Sequence, residues 1–191
     1  MRHERLEMKN YFDFLGNNDA NPTLDIYLPY NMAEMNRQNQ KRPCMVICPG
    51  GGYGMCSERE WEPIALHLLP EGFNVFILTH SVAPNRFPSQ IREVAAAMEL
   101  IYAKADEWNC DTSKIAIMGF SAGGHLAAWV SNAMADDRKP AFAMLFCGSM
   151  LRDEYYVTMS ANMNLMGKDV TPAEAESLTL TNLVTKNTPP T

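Results

Sequence analysis

One serine stands where its neighbours could turn a hydroxyl into a nucleophile. Ser121 sits in Gly119-Phe120-Ser121-Ala122-Gly123, a G-x-S-x-G pattern that follows the apolar run Ile115 to Met118 and precedes a helical pattern. Glycines two before and two after the serine permit a bend too tight for a Cβ. The serine then projects from the start of a helix, whose amides and dipole favour developing negative charge. A glycine-rich turn whose serine merely caps the helix is the alternative reading.

A second glycine cluster fits the same chemistry. Cys44 to Cys48 is an apolar run that stops at Pro49-Gly50-Gly51-Gly52-Tyr53. Consecutive glycines lose much conformational freedom on folding, so their presence calls for a reason. The backbone N–H groups of Gly51 and Gly52, with that of Ala122, form a candidate oxyanion hole that no side chain would obstruct. The patterns of phosphate-cradling loops are absent from this stretch. The Tyr53 region and the methionines at 159, 163 and 166 are candidates for setting acyl-pocket depth, with core filling the simpler reading of the methionines.

A serine nucleophile also needs a base. The chain holds four histidines. His3 lies in a charged lead, and His67 falls off the apolar stripe of its helix. His80 follows a strand end, where sites in parallel sheets gather, and His125 lies one helical turn after Ser121. His80 and His125 are therefore weak candidates for the base.

The elements around these residues follow from pattern. Met1 to Gly16 reads as an irregular lead with a short strand at Tyr11 to Phe14, and Thr23 to Leu28 as an exposed or edge strand. Strands are expected at Cys44 to Cys48, Phe73 to Thr79, Ile115 to Met118 and Pro140 to Cys147. Helices are expected at Glu58 to Leu69, Pro88 to Trp108 and after Ser121, with Thr171 capping a further start. Strand and helix in alternation predict an α/β fold with a mostly parallel sheet. Residues 1–191 read as one domain, with 150–170 as an insertion covering the site.

Composition narrows the partners. A net charge of −6, with 16 Lys and Arg against 22 Asp and Glu, disfavours nucleic acid and anionic membranes. The sequence shows neither a long apolar run nor a signal-peptide pattern, so a cytoplasmic protein is expected. Five cysteines without a C-x-x-C pair predict free thiols, those at 44, 48 and 147 buried within strands, and no metal site. No cofactor is expected.

The stretches CPGGGY at 48–53, HSVAPNRFP at 80–88, KIAIMGFSAGGHLAA at 114–128 and TPPT at 188–191 resemble the α/β-hydrolase superfamily. Within it they are similar to small esterases of the acetyl-esterase, acetyl-xylan-esterase and feruloyl-esterase-like type. The resemblance implies Ser121 as nucleophile and the amides of Gly51, Gly52 and Ala122 as oxyanion donors. Related lipases carry a histidine where this chain has Pro49. It further implies a triad in the order Ser, Asp, His whose acid and histidine follow the TPPT-like segment, where this sequence stops. A hydrolase fold lacking its last strands and helix is thus expected. So is a carboxylic ester hydrolase for small acyl esters, acetylated sugars among them, with an impaired binding or assembly module as the alternative. The 140–147 strand, left as an open apolar edge, predicts a homo-oligomer.

Overall fold

The computed structural model describes residues 1–13, 21–148 and 160–191. A six-stranded mixed sheet runs in the order β1-β2-β4-β3-β5-β6. Its strands are β1 (Arg2–Glu7), β2 (Thr23–Leu28), β3 (Arg42–Cys48), β4 (Asn74–Thr79), β5 (Cys110–Phe120) and β6 (Ala143–Phe146). β1, β2 and β4 pair antiparallel, whereas β4, β3, β5 and β6 pair parallel.

Helices cover both faces, which is why the central strands are apolar throughout instead of alternating. Side chains Val46, Phe76, Ile115 and Ile117 meet α2 (Ser89–Ala103) and α3 (Ala122–Ala133) through Val94, Met98, Leu126 and Val130. Their strand neighbours Met45, Ile47, Val75 and Ile77 face α1 (Glu62–Leu68) through Ala65, Ile64 and Leu68. Two short helices follow, α4 (Ser160–Met166) and α5 (Pro172–Ser177). Thr171 and Glu174 close a reciprocal cap on α5: the Thr171 amide donates to Glu174 Oε2 at 2.8 Å and the Glu174 amide to Thr171 Oγ1 at 3.3 Å.

Several expectations are corrected. The charged lead holds a strand at Arg2–Glu7, and Tyr11 lies in a turn after the short 3-10 helix Met8–Asn10. Charge masks this strand from pattern reading because it is the sheet's outer edge, where charged side chains discourage pairing with other chains. β2 is consequently interior and almost wholly buried, not exposed. Its Asp25, 2% exposed, accepts the Arg5 Nε–H, which lies 2.9 and 3.0 Å from the two carboxylate oxygens. α2 stops at Ala103, five residues before Trp108. Cys147 is exposed rather than buried, because β6 ends at Phe146 and the chain then turns through a left-handed Cys147 with φ 53°. Residues 149–159 lie outside the described residues, and with them the first part of the expected covering insertion at 150–170, Met159 included.

Candidate active site

β5 delivers the chain into a strained turn. Ser121 has φ 50° and ψ −113°, outside the regions that non-glycine residues prefer, a conformation that costs about 1–3 kcal/mol. Local hydrogen bonds hold it there. Its N–H donates to the Phe146 carbonyl of β6 at 2.7 Å, and its carbonyl accepts the His125 N–H at 3.1 Å. The serine is exposed and its side chain makes no capping bond to α3, so the hydroxyl is not engaged as a helix cap.

The flanking glycines are sterically required. A Cβ on Gly119 would stand 2.2 Å from the Gly123 carbonyl oxygen, and one on Gly123 would stand 1.9 Å from that of Cys48. The first contact closes the turn upon itself. The second seats the start of α3 directly on the end of β3.

That seating brings the glycine loop to the serine. A Cβ built on Gly50 would lie 3.1 Å from Ser121 Cβ and 3.2 Å from Glu60 Oε2. The loop then continues through positive φ at Gly51 (133°), Gly52 (59°) and Tyr53 (57°). Four supports fix its path. Glu60 accepts the Gly50 N–H at 2.6 Å, and Ser57 N–H donates to the Gly50 carbonyl at 2.8 Å. Asn164 of α4 donates to the Gly52 carbonyl at 2.9 Å. Tyr53 turns into the interior, 1% exposed, its hydroxyl 3.0 Å from the Ala122 carbonyl and 2.6 Å from His125 Nδ1. Among the described residues, the amides of Gly51, Gly52 and Ala122 meet no hydrogen-bond acceptor.

The histidines are placed elsewhere. His125 is fully buried, its Nδ1 on the Tyr53 hydroxyl. His80 is also buried, with Nδ1 2.9 Å from the Ser81 carbonyl and Nε2 3.2 Å from the Pro49 carbonyl. Burial pushes its imidazole pKa down, partly opposed by those two carbonyls. Both ring nitrogens of His80 face acceptors, leaving no lone pair directed at the serine. His67 is exposed on α1 with Nδ1 2.8 Å from the Pro63 carbonyl, and His3 pairs with Asp25 at 3.2 Å.

Sequence reading passed over the supports. Glu60 lies in the run Ser57-Glu58-Arg59-Glu60, which resembles an ordinary solvated face, and only its spacing after the glycines hints at a loop anchor. Tyr53 was expected at the pocket but lies behind it, between His80 and His125, with ring centroids at 5.7 and 6.1 Å. Glu93 of α2 accepts both the Ser81 N–H and the Ser81 hydroxyl, fixing the turn after β4, and burial holds its carboxyl up to about 7. Among the described residues, no three metal-ligating side chains converge and no helix is long and apolar enough to cross a membrane.

Residues 24–144 match the BD-FAE family, a span that holds β2 to β5, the glycine loop and the elbow. The chain belongs to the BD-FAE family. This BD-FAE chain is 29% identical over 180 residues to endo-1,4-beta-xylanase B of Butyrivibrio fibrisolvens, covering 86% of the chain and 28% of that protein. It is 28% identical over 133 residues to the acetylxylan esterase of Xylanibacter ruminicola, covering 69% of the chain and 28% of that protein. It therefore spans just over a quarter of the length of each. The solved acetyl ester-xyloside bifunctional hydrolase of Caldicellulosiruptor lactoaceticus superposes with a TM-score of 0.85 at 24% identity, over 98% of this chain and 72% of that one. The fold is that of the α/β hydrolases.

Proposed function

We propose that the chain carries the nucleophile and oxyanion hole of a carboxylic ester hydrolase that works through an acyl-serine intermediate on small acyl esters, acetylated sugars among them. The observation that carries this reading is the juxtaposition of an exposed, strained Ser121 with a glycine loop and helix start whose three amides meet no acceptor among the described residues. The named activities of the xylanase and acetylxylan-esterase relatives favour a sugar ester.

In this reading Ser121 Oγ attacks the ester carbonyl carbon as its proton passes to a base. The carbonyl π electrons move to oxygen, and the amides of Gly51, Gly52 and Ala122 hold the resulting oxyanion. Each such donor is typically worth about 10²- to 10³-fold in rate. Collapse expels the alcohol, which takes the proton back from the base, and leaves the acyl group on Oγ. Water then repeats the sequence and releases the acid. No cofactor takes part in these steps.

The four histidines of residues 1–191 are engaged elsewhere, so in this reading the base is supplied from outside residues 1–191. Without it, an oxyanion hole and binding alone sustain about 10³-fold catalysis over water. We also propose that the chain self-associates through β6, where Met144 and Phe146, and Phe142 just before the strand, are 37%, 41% and 38% exposed.

Steady-state hydrolysis of p-nitrophenyl acetate across a protein concentration series, beside Ser121→Ala, tests the whole reading. Turnover lost on substitution is expected, and specific activity that rises as the chain is concentrated would place the base on a second copy. Turnover that survives Ser121→Ala removes the nucleophile assignment, and a flat concentration profile removes a second copy as the source of the base.

A further inference from the structure

The end of the sheet opposite Ser121 holds a second recess. A cleft of about 230 Å³ opens between the residues that follow β2, the first residues of β3 and β4, and the Trp108-Asn109 turn. β5 runs its eleven residues from this end to the elbow, a separation of roughly 30 Å, so the cleft is no part of the ester site.

Arg42, the first residue of β3, lines this cleft and is 7% exposed. Its Nε–H donates to Asn31 Oδ1 at 3.0 Å. The two terminal nitrogens reach only the carbonyls of Gly72 and Tyr30, at 3.4 and 3.5 Å, beyond the usual hydrogen-bond range. Among the described residues, no carboxylate lies within ion-pair distance of this guanidinium. Glu107, the one acid lining the cleft among those residues, is held by Lys104 at 2.9 Å and by Arg2 at 3.9 Å. Buried arginines are ordinarily paired, because desolvating a lone cation is costly. Burial lowers the pKa of this one, and the nearby Arg37 lowers it further. A guanidinium with two under-used nitrogens, on a residue that lines a cleft, is the fork that binds a planar or tetrahedral oxyanion.

We propose that this cleft binds a small oxyanion, a phosphate or the carboxylate of an acidic sugar, on the terminal nitrogens of Arg42. Arg2 at the rim is taken up by Glu4 and Glu107, which leaves Arg42 as the cation of the cleft, and Tyr30, 70% exposed, offers a flat face beside it. The site is independent of Ser121 and of the chemistry proposed for it.

Calorimetric titration of the 191-residue chain with sodium phosphate and with sodium glucuronate, in chloride-free buffer, tests the proposal. Saturable binding with a Kd of ~1 mM or tighter is expected for at least one anion, the scale of a single charge-assisted bidentate contact. Phosphate alone identifies an inorganic or phosphorylated ligand; glucuronate alone identifies an acidic sugar. Asn31→Asp sets a carboxylate beside Arg42 Nε, neutralises the guanidinium from within and should weaken binding at least ~tenfold. Arg42→Lys keeps the charge but loses the fork, and weakens it several-fold. Ser121→Ala should bind as the parent does. Absence of binding by either anion to the parent chain, or unchanged affinity in a folded Asn31→Asp, overturns the proposal.

Discussion

At the scale of residues, the nucleophile's geometry depends on atoms that are not there. A Cβ on Gly123 meets backbone, not a flexible side chain, at 1.9 Å. Gly123→Ala must therefore push α3 off β3, and we expect a loss of about 3 kcal/mol or more in urea unfolding, together with activity. Glu93 makes a pH-dependent contribution of the opposite kind to an ordinary ion-paired carboxylate. Its folded pKa is raised from 4.5 to about 7, so the folded state retains a proton that the unfolded state has released. Stability is unaffected by this group below pH 4.5, falls as pH rises from there to about 7, and levels off above. Glu93→Gln should flatten the slope of unfolding free energy across that window. An unchanged slope would show that the proton is held elsewhere.

At the scale of elements, the legible parts were those whose pattern and packing agree. Met45 and Ile47 face one helical layer while Val46 faces the other, so the run Cys44 to Cys48 has to be apolar at every position, and that run alone predicts a central strand. The elbow was legible because its glycines are steric necessities. β1 was not, since Arg2, Glu4, Arg5 and Glu7 carry the charge of an edge and its sheet partners lie sixteen or more positions away. Its attachment also rests on a long-range pair invisible in sequence: Arg5, with a side chain 55% exposed, against the buried Asp25. Arg5→Ala leaves that carboxylate to the weaker His3 contact, and a loss of about 1–3 kcal/mol is expected by denaturant titration. The supports of the glycine loop were hidden for a similar reason, because Asn164 and Gly52 are 112 residues apart.

At the scale of the whole molecule, the two sheet edges differ in kind. The β1 edge is charged, while β6 shows exposed apolar side chains and has only four residues. Its outer face is partly engaged, since the Ala143 N–H donates to the Pro190 carbonyl at 2.9 Å. Placing a charge on that edge with Met144→Lys should shift the chain to smaller species in sedimentation velocity. No shift would move the association surface away from β6. The nucleophile shares the fate of this edge. The amide of Ser121 is bonded to Phe146, the last residue of that short outer strand. Deuterium uptake at this single amide thus becomes a gauge of edge fraying. Slow uptake signals a docked strand and an aimed hydroxyl, and fast uptake a relaxed turn whose serine has lost its bearing.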